Sequence, residues 1–290
     1  MERLGKPRHR REGRRPSERE ANESIFYHFL VDNDRCLDSA RHDKRMDYTH
    51  LISLFLAVGV IAFLYSSVGH AGASGYIAIM TLWGLAPTTI RPTALLLNIL
   101  VASIGAFQFW RAGHFSWKLF WPFALLSVPT AYLGGYLQLP ASILKILIGL
   151  VLIFSAVRLM FRRRDPPEVI PPSRPTAIGV GAAIGFLSGL TGTGGGIFLT
   201  PTLVFFRWAV IRQVAAVSAL FILVNSISGL VGYFTAIHSI PSLGLILAPA
   251  AVISGIIGSN LGSRHFPVRT ISLLLASVLM IAGLKLIFTR

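Results

Sequence analysis

The sequence predicts an all-α, polytopic membrane protein made of two homologous repeats, each opening on a glycine-broken helix. Three observations carry this. The 290-residue chain is 53% hydrophobic with a mean hydropathy of +0.64, beyond an ordinary soluble domain. Its apolar residues fall in continuous runs near 51–68, 92–110, 119–138, 142–161, 213–234, 243–262 and 270–288, close to the roughly 20 helical residues that cross a bilayer core. Runs of this kind, lacking period-two alternation, exclude a β-barrel. Two glycine-rich stretches, finally, interrupt apolar sequence at matching places in the two halves.

The stronger interruption reads Ser188-Gly189-Leu190-Thr191-Gly192-Thr193-Gly194-Gly195-Gly196. Each glycine weakens a helix by roughly 1 kcal/mol relative to alanine, so three in a row predict an unwound loop or a sharp break. Unpaired amides in a bilayer cost several kcal/mol unless protein or trapped water satisfies them, so something polar is expected to use them. The second interruption is Ser66-Ser67-Val68-Gly69-His70-Ala71-Gly72-Ala73-Ser74-Gly75. A shift of 121 residues places Gly75 on Gly196 and Ile90-Arg91 on Ile211-Arg212, and a shift of 127 places Val157 to Arg163 on Leu284 to Arg290. The landmarks keep their order, which marks two repeats. Matched broken helices in two halves point to a transport site.

Taken in order, residues 1–45 are rich in Arg, Glu, Asp and Pro, and their apolar patch at 25–31 is too short to span. They read as a charged, disordered cytosolic extension without a signal peptide; initiation at Met46 is the alternative. Repeat 1 occupies 46–163, with segments at 48–65 and 76–86, a turn at Pro87 that carries Arg91, and segments at 92–110, 119–138 and 142–161. Residues 164–175 form a Pro-rich linker, and repeat 2, 176–290, copies the order. If the first two segments of a repeat make one broken span, the chain crosses eight times and its basic clusters lie inside. If both cross, there are ten crossings and the repeats are inverted. Either way the chain is a multi-pass protein of the cytoplasmic membrane.

Charge narrows the cargo. Residues 1–47 hold 12 Lys or Arg against 10 Asp or Glu, whereas residues 48–290 hold 15 basic residues and only Asp165 and Glu168, both in the linker. The formal +15 is therefore not a nucleic-acid footprint. Membrane segments without carboxylates lack the usual ligand for a metal cation and the usual acidic proton relay, and favour an anion. The single cysteine, Cys36, lies outside the repeats, so no disulfide framework or membrane thiol is available.

The glycine stretches supply most of the candidate substrate-binding residues. Successive glycines let backbone N–H groups converge on an anion, and the half-helix behind them adds partial positive charge. Gly69, Gly72, Gly75, Gly192, Gly194, Gly195 and Gly196 supply the amides, and the hydroxyls of Ser66, Ser67, Ser74, Ser188, Thr191 and Thr193 supplement them. Close helix packing also selects small residues, but two breaks at equivalent positions favour a ligand. His70, facing Thr191 or Gly192 of the other copy, is either a charge-compensating group or a neutral hydrogen-bonding residue that holds the loop. Asn98 and Asn225 line the site or glue helices together. Arg91 and Arg212 attract the anion or anchor to headgroups. No catalytic constellation, cofactor motif or metal-ligand cluster is present, so an enzyme is not expected.

The stretches Tyr65-Ser66-Ser67-Val68-Gly69-His70-Ala71-Gly72-Ala73-Ser74-Gly75-Tyr76 and 188–196, with the duplication between them, resemble the TauE/SafE family of sulfite exporters and 4-toluene sulfonate permeases. The resemblance covers nearly all of 46–290. It implies an all-helical permease with two homologous halves and about eight crossings, moving sulfite, organosulfonates such as sulfoacetate, or related small anions. His70, Ala71 and Ala73 depart from the glycine-rich pattern, which argues against equal substrate binding by the two halves. The reading is thus an anion permease working by alternating access. A passive anion channel and a non-transporting membrane scaffold are its rivals. The bilayer and a small anion are the expected partners, nucleic acid is not, and small-residue surfaces leave room for a homodimer.

Overall fold

The computed structural model describes residues 48–137, 168–237 and 242–267, with scattered positions between 153 and 157 and between 269 and 284. The chain divides into a unit ending at Leu51 and a compact body, Ile52–Arg290. Eight continuous helices are described: α1 (Tyr48–Ser66), α2 (Ala73–Leu82), α3 (Pro87–Arg111), α4 (Trp117–Tyr136), α5 (Arg174–Thr191), α6 (Gly196–Phe205), α7 (Ile211–Ile237) and α8 (Ser242–Asn260). Apart from the first residues of α1, all belong to the body. A π-helical turn, Leu261–His265, extends α8. No strand occurs among the described residues. Stretches at Thr88–Arg111, Ile211–Ala236 and Ser242–His265 are long and apolar enough to cross a bilayer. The apolar runs at 142–161 and 270–288, and the extension 1–45, lie outside the described residues or nearly so.

The helices start where proline chemistry allows. The sequence suggests a turn at Pro87 and a helix from Pro92, but α3 begins at Pro87, with Pro92 inside it. Proline fits the first turn of a helix; further in, it leaves the carbonyl four residues back without a donor. Here that carbonyl belongs to Thr88, and the Tyr233 hydroxyl of α7 donates to it at 2.9 Å. A neighbouring helix thus repairs the ladder, which lets the helix continue. α5 opens on Ser173, whose side chain accepts from the Thr176 N–H, with a proline in the first turn.

Packing fixes the helix directions. A Cβ at Gly181, Gly185 or Gly189 of α5 would fall on the carbonyl oxygens of Phe123, Ser127 and Ala131 of α4. The contacts advance by four on both helices, so α4 and α5 run parallel with their backbones touching, the close approach that small residues permit. Gly258 and Gly262 meet the Phe63 and Ser67 carbonyls in the same way, so α1 runs parallel to the end of α8. Between α3 and α7 the pairing reverses: Thr88 meets Tyr233, Asn98 meets Ser226 and Gly105 faces Ala219. These two long helices are antiparallel.

The short helix α2 turns back. Tyr65 Oη lies 2.9 Å from Ser74 Oγ, and Gly75 rests against Ile61 and Tyr65, so α1 and α2 form a hairpin and not one interrupted rod. At 10 residues each, α2 and α6 are about 15 Å long, half the thickness of a hydrocarbon core. Ile52, Leu56 and Val60 of α1 and Ile253, Ile256 and Ile257 of α8 are exposed, whereas Ser66, Ser67, His70, Asn98 and Asn225 are buried. Polar inside and apolar outside is the pattern of a chain whose surrounding solvent is hydrocarbon.

Candidate functional site

The second glycine stretch unwinds between α5 and α6. Gly192 closes α5 in the left-handed conformation, its N–H bonded to the Ser188 carbonyl, a common helix C-cap. Gly194 and Gly195 follow at φ 74° and 81°, where a side chain would be strained. They also have no room: a Cβ at Gly194 would lie 2.6 Å from Ser226 Oγ, and one at Gly195 would lie 2.9 Å from the Phe221 ring. Five successive backbone N–H groups, those of Thr193, Gly194, Gly195, Gly196 and Ile197, find no acceptor among the described residues. Gly194 to Ile197 are buried. The Ser188 hydroxyl, fully buried beneath this loop, also has no partner among the described residues.

The first stretch is built differently. The N–H groups of Ser67, Val68, Gly69 and His70 bond back to carbonyls of Phe63, Tyr65 and Ser66, and the Ser66 and Ser67 hydroxyls donate to Phe63 and Leu64. Only Ala71, Gly72, Ser74 and Gly75 keep N–H groups without an acceptor among the described residues. The buried Tyr76 hydroxyl beside Gly72 likewise lacks one.

Two side chains tie the stretches together. Asn98 Oδ1 accepts from the Ala73 N–H at the start of α2 at 3.0 Å. Its Nδ2 donates to the Thr193 carbonyl at 3.2 Å and to Ser226 Oγ at 3.3 Å. His70 Nε2 lies 3.1 Å from the Gly196 carbonyl, and Nδ1 lies 3.3 Å from that of Val68. Thr191 and Thr193 bond to each other. Asn225 sits elsewhere: its Oδ1 accepts from Ser127 of α4 at 2.6 Å, and its Nδ2 donates to Phe221. The two asparagines therefore have different partners.

Both arginines hold carbonyls. Arg91 Nη2 reaches Gly134 and Gly135 at 2.9 and 3.2 Å, and also Gly189, and the guanidinium lies over the Tyr233 ring. Arg212 Nη2 donates to Phe266 at 3.1 Å. Each arginine, placed at the start of a long helix, thus neutralises carbonyls at the end of the helix that comes next, a favourable use of positive charge. Arg91→Lys is expected to lower stability by about 1–2 kcal/mol, because an ammonium cannot reproduce the planar fork. Arg212→Ala, with one carbonyl at stake, should cost less. Thermal unfolding in detergent measures both, and an unchanged Arg91→Lys midpoint would contradict the clamp.

Residue patterns missed Tyr65, Tyr76 and Ser226. The tyrosines flank the first stretch, which is the signal that could have found them; Ser226 adjoins Asn225 and carries none.

Residues 54–286 match the family described as Sulfite exporter TauE/SafE. The chain belongs to the TauE/SafE family. TauE/SafE membership agrees with three relatives. It is 40% identical over 245 residues to probable membrane transporter protein y4hK of Sinorhizobium fredii, covering 83% of this chain and 99% of the relative. It is 28% identical over 264 residues to probable membrane transporter protein MJ0441 of Methanocaldococcus jannaschii, covering 82% and 96%. It is also 28% identical over 255 residues to probable membrane transporter protein YjnA of Bacillus subtilis, covering 81% and 99%. No solved structure matches the chain. The protein is a membrane transporter of the TauE/SafE family.

Proposed function

We propose that this TauE/SafE transporter is a cytoplasmic-membrane permease for a small anion, sulfite or an organosulfonate, that works by alternating access. The carrying observation is the run of five buried or half-buried N–H groups at the start of α6, with no acceptor among the described residues. An anion fits donors that converge at a helix N-terminus. The scarcity of carboxylates after residue 48 supports the same sign of cargo.

The reading takes the two halves as inverted repeats. Helix, glycine loop, ten-residue helix, long helix and helix recur in order, and α3 and α7 oppose each other. Anion binding draws chiefly on the second loop, with Ser188, because most amides of the first loop up to His70 are already paired.

Thermal stability of the purified protein across sulfite, sulfate, thiosulfate, sulfoacetate, taurine and small carboxylates tests this. A ligand that binds only the folded state adds roughly 2.7 kcal/mol at a hundredfold excess over its Kd. One sulfur oxyanion or organosulfonate should stand out, and Gly195→Leu should abolish its shift. Counterflow of that anion in proteoliposomes separates a carrier from a channel. No shift with any of them, from well-folded protein, counts against the reading.

A further inference from the structure

His70 is 3% exposed, and each of its ring nitrogens faces a carbonyl oxygen, Nδ1 that of Val68 at 3.3 Å and Nε2 that of Gly196 at 3.1 Å. A carbonyl only accepts. A neutral imidazole has one N–H and one lone pair, so it satisfies one of these contacts and sets lone pair against lone pair in the other. The imidazolium donates to both. Only the protonated ring donates to both carbonyls at once.

Among the described residues, the surroundings offer no anionic side chain to balance that charge. On α1 and α2 the ionisable groups nearby are Tyr65 and Tyr76, and α6 carries none. On α3, Arg91 is held by carbonyls and Arg111 lies at the far end; on α7, Arg212 is bonded to Phe266 and Tyr233 to Thr88. The only acidic residues after position 48 are Asp165 and Glu168. What adjoins the imidazole is Gly196, whose carbonyl bonds His70 while its N–H belongs to the unpartnered run.

We infer that His70 is a proton-binding site and that the proton is the co-substrate, carried with the anion held at the amides of 193–197. This rests on the anion-permease reading. His70 takes one proton from the water on the side from which the anion enters and returns it to the water on the other side. No other bond changes. A monovalent anion then crosses with no net charge, and each ligand strengthens the binding of the other by the same factor.

The test uses the full-length protein in proteoliposomes with sulfoacetate, a dianion whose charge is constant between mildly acid and neutral pH and which crosses with one proton as a net negative charge, so the membrane potential is clamped with potassium and valinomycin. Wild type should accumulate it against its gradient when the trans side is more alkaline, up to roughly tenfold per pH unit for each proton carried. His70→Gln keeps one donor and one acceptor but takes up no proton, so it should lose accumulation driven by a pH gradient, and its affinity for sulfoacetate, read by thermal stabilisation of the folded variant, should be lower than wild type and no longer change with pH. Nitrogen-15 spectra of the wild-type ring should show the imidazolium pattern at neutral pH with saturating sulfoacetate. Accumulation by His70→Gln equal to wild type, or a neutral ring in the sulfoacetate-bound protein, overturns the inference and leaves the permease reading standing. Absence of any sulfoacetate exchange by wild type overturns the proton assignment for this anion; absence for every anion of the stability panel overturns the permease reading as well.

Discussion

Gly185→Leu is expected to leave no monodisperse, folded protein, whereas Gly179→Leu, six residues earlier on the same helix, should be tolerated. A Cβ at Gly185 would meet the Ser127 carbonyl and lie 2.6 Å from Thr130 Oγ1; at Gly179 it would find nothing within 4 Å. Backbone cannot rotate out of the way as a side chain does, so the parallel pair α4 and α5 would have to separate. Even Gly185→Ala should lower stability by about 3 kcal/mol or more, at or beyond the upper end of ordinary overpacking. Gel filtration after solubilisation, with thermal unfolding of whatever elutes intact, makes the comparison. Equal behaviour of the two leucine variants would show that the backbone contact does not hold this interface.

The second large effect is expected at Asn98. Asn98→Ala removes the contacts to Ala73, Thr193 and Ser226 and leaves buried partners unsatisfied, which should lower stability by about 2–4 kcal/mol. It should also abolish the anion-dependent shift, because both glycine stretches lose their common anchor. Asn225→Ala should lower stability to a similar degree by breaking the Ser127 contact, with the anion response kept. Titrating the best anion of the stability panel against the two variants separates the roles. If both variants lose the response equally, Asn98 is only another buried amide.

That contrast shows where residue patterns carry and where they stop. Among the described residues, apolar runs and glycine clusters located the helices and both breaks, since length and backbone freedom are local properties. Arg91 and Arg212 could be matched from their spacing, but their carbonyl partners come from helices brought close by tertiary packing. Asn98 and Asn225 look alike in sequence; only the neighbouring helix decides that one spans two loops and the other joins α7 to α4. Pro92 misled for a related reason. Its missing donor is replaced by Tyr233, 141 positions along the chain, and no local rule reaches that far. The turn of α2 back along α1 was equally beyond local reading, because a glycine break permits either direction.

The open amides at the head of α6 bear on how such a protein reveals itself to genetics. Every residue except proline carries the same N–H, so changing Thr193 or Ile197 to alanine leaves the donor where it was. A survey by alanine replacement would pass over this loop as unimportant, while bulk at Gly194 or Gly195, or proline at Ile197, would silence it. On the proposed reading, natural variation can accordingly alter the side chains around such a loop, and with them the choice of anion, while the peptide groups assigned to hold its charge stay the same.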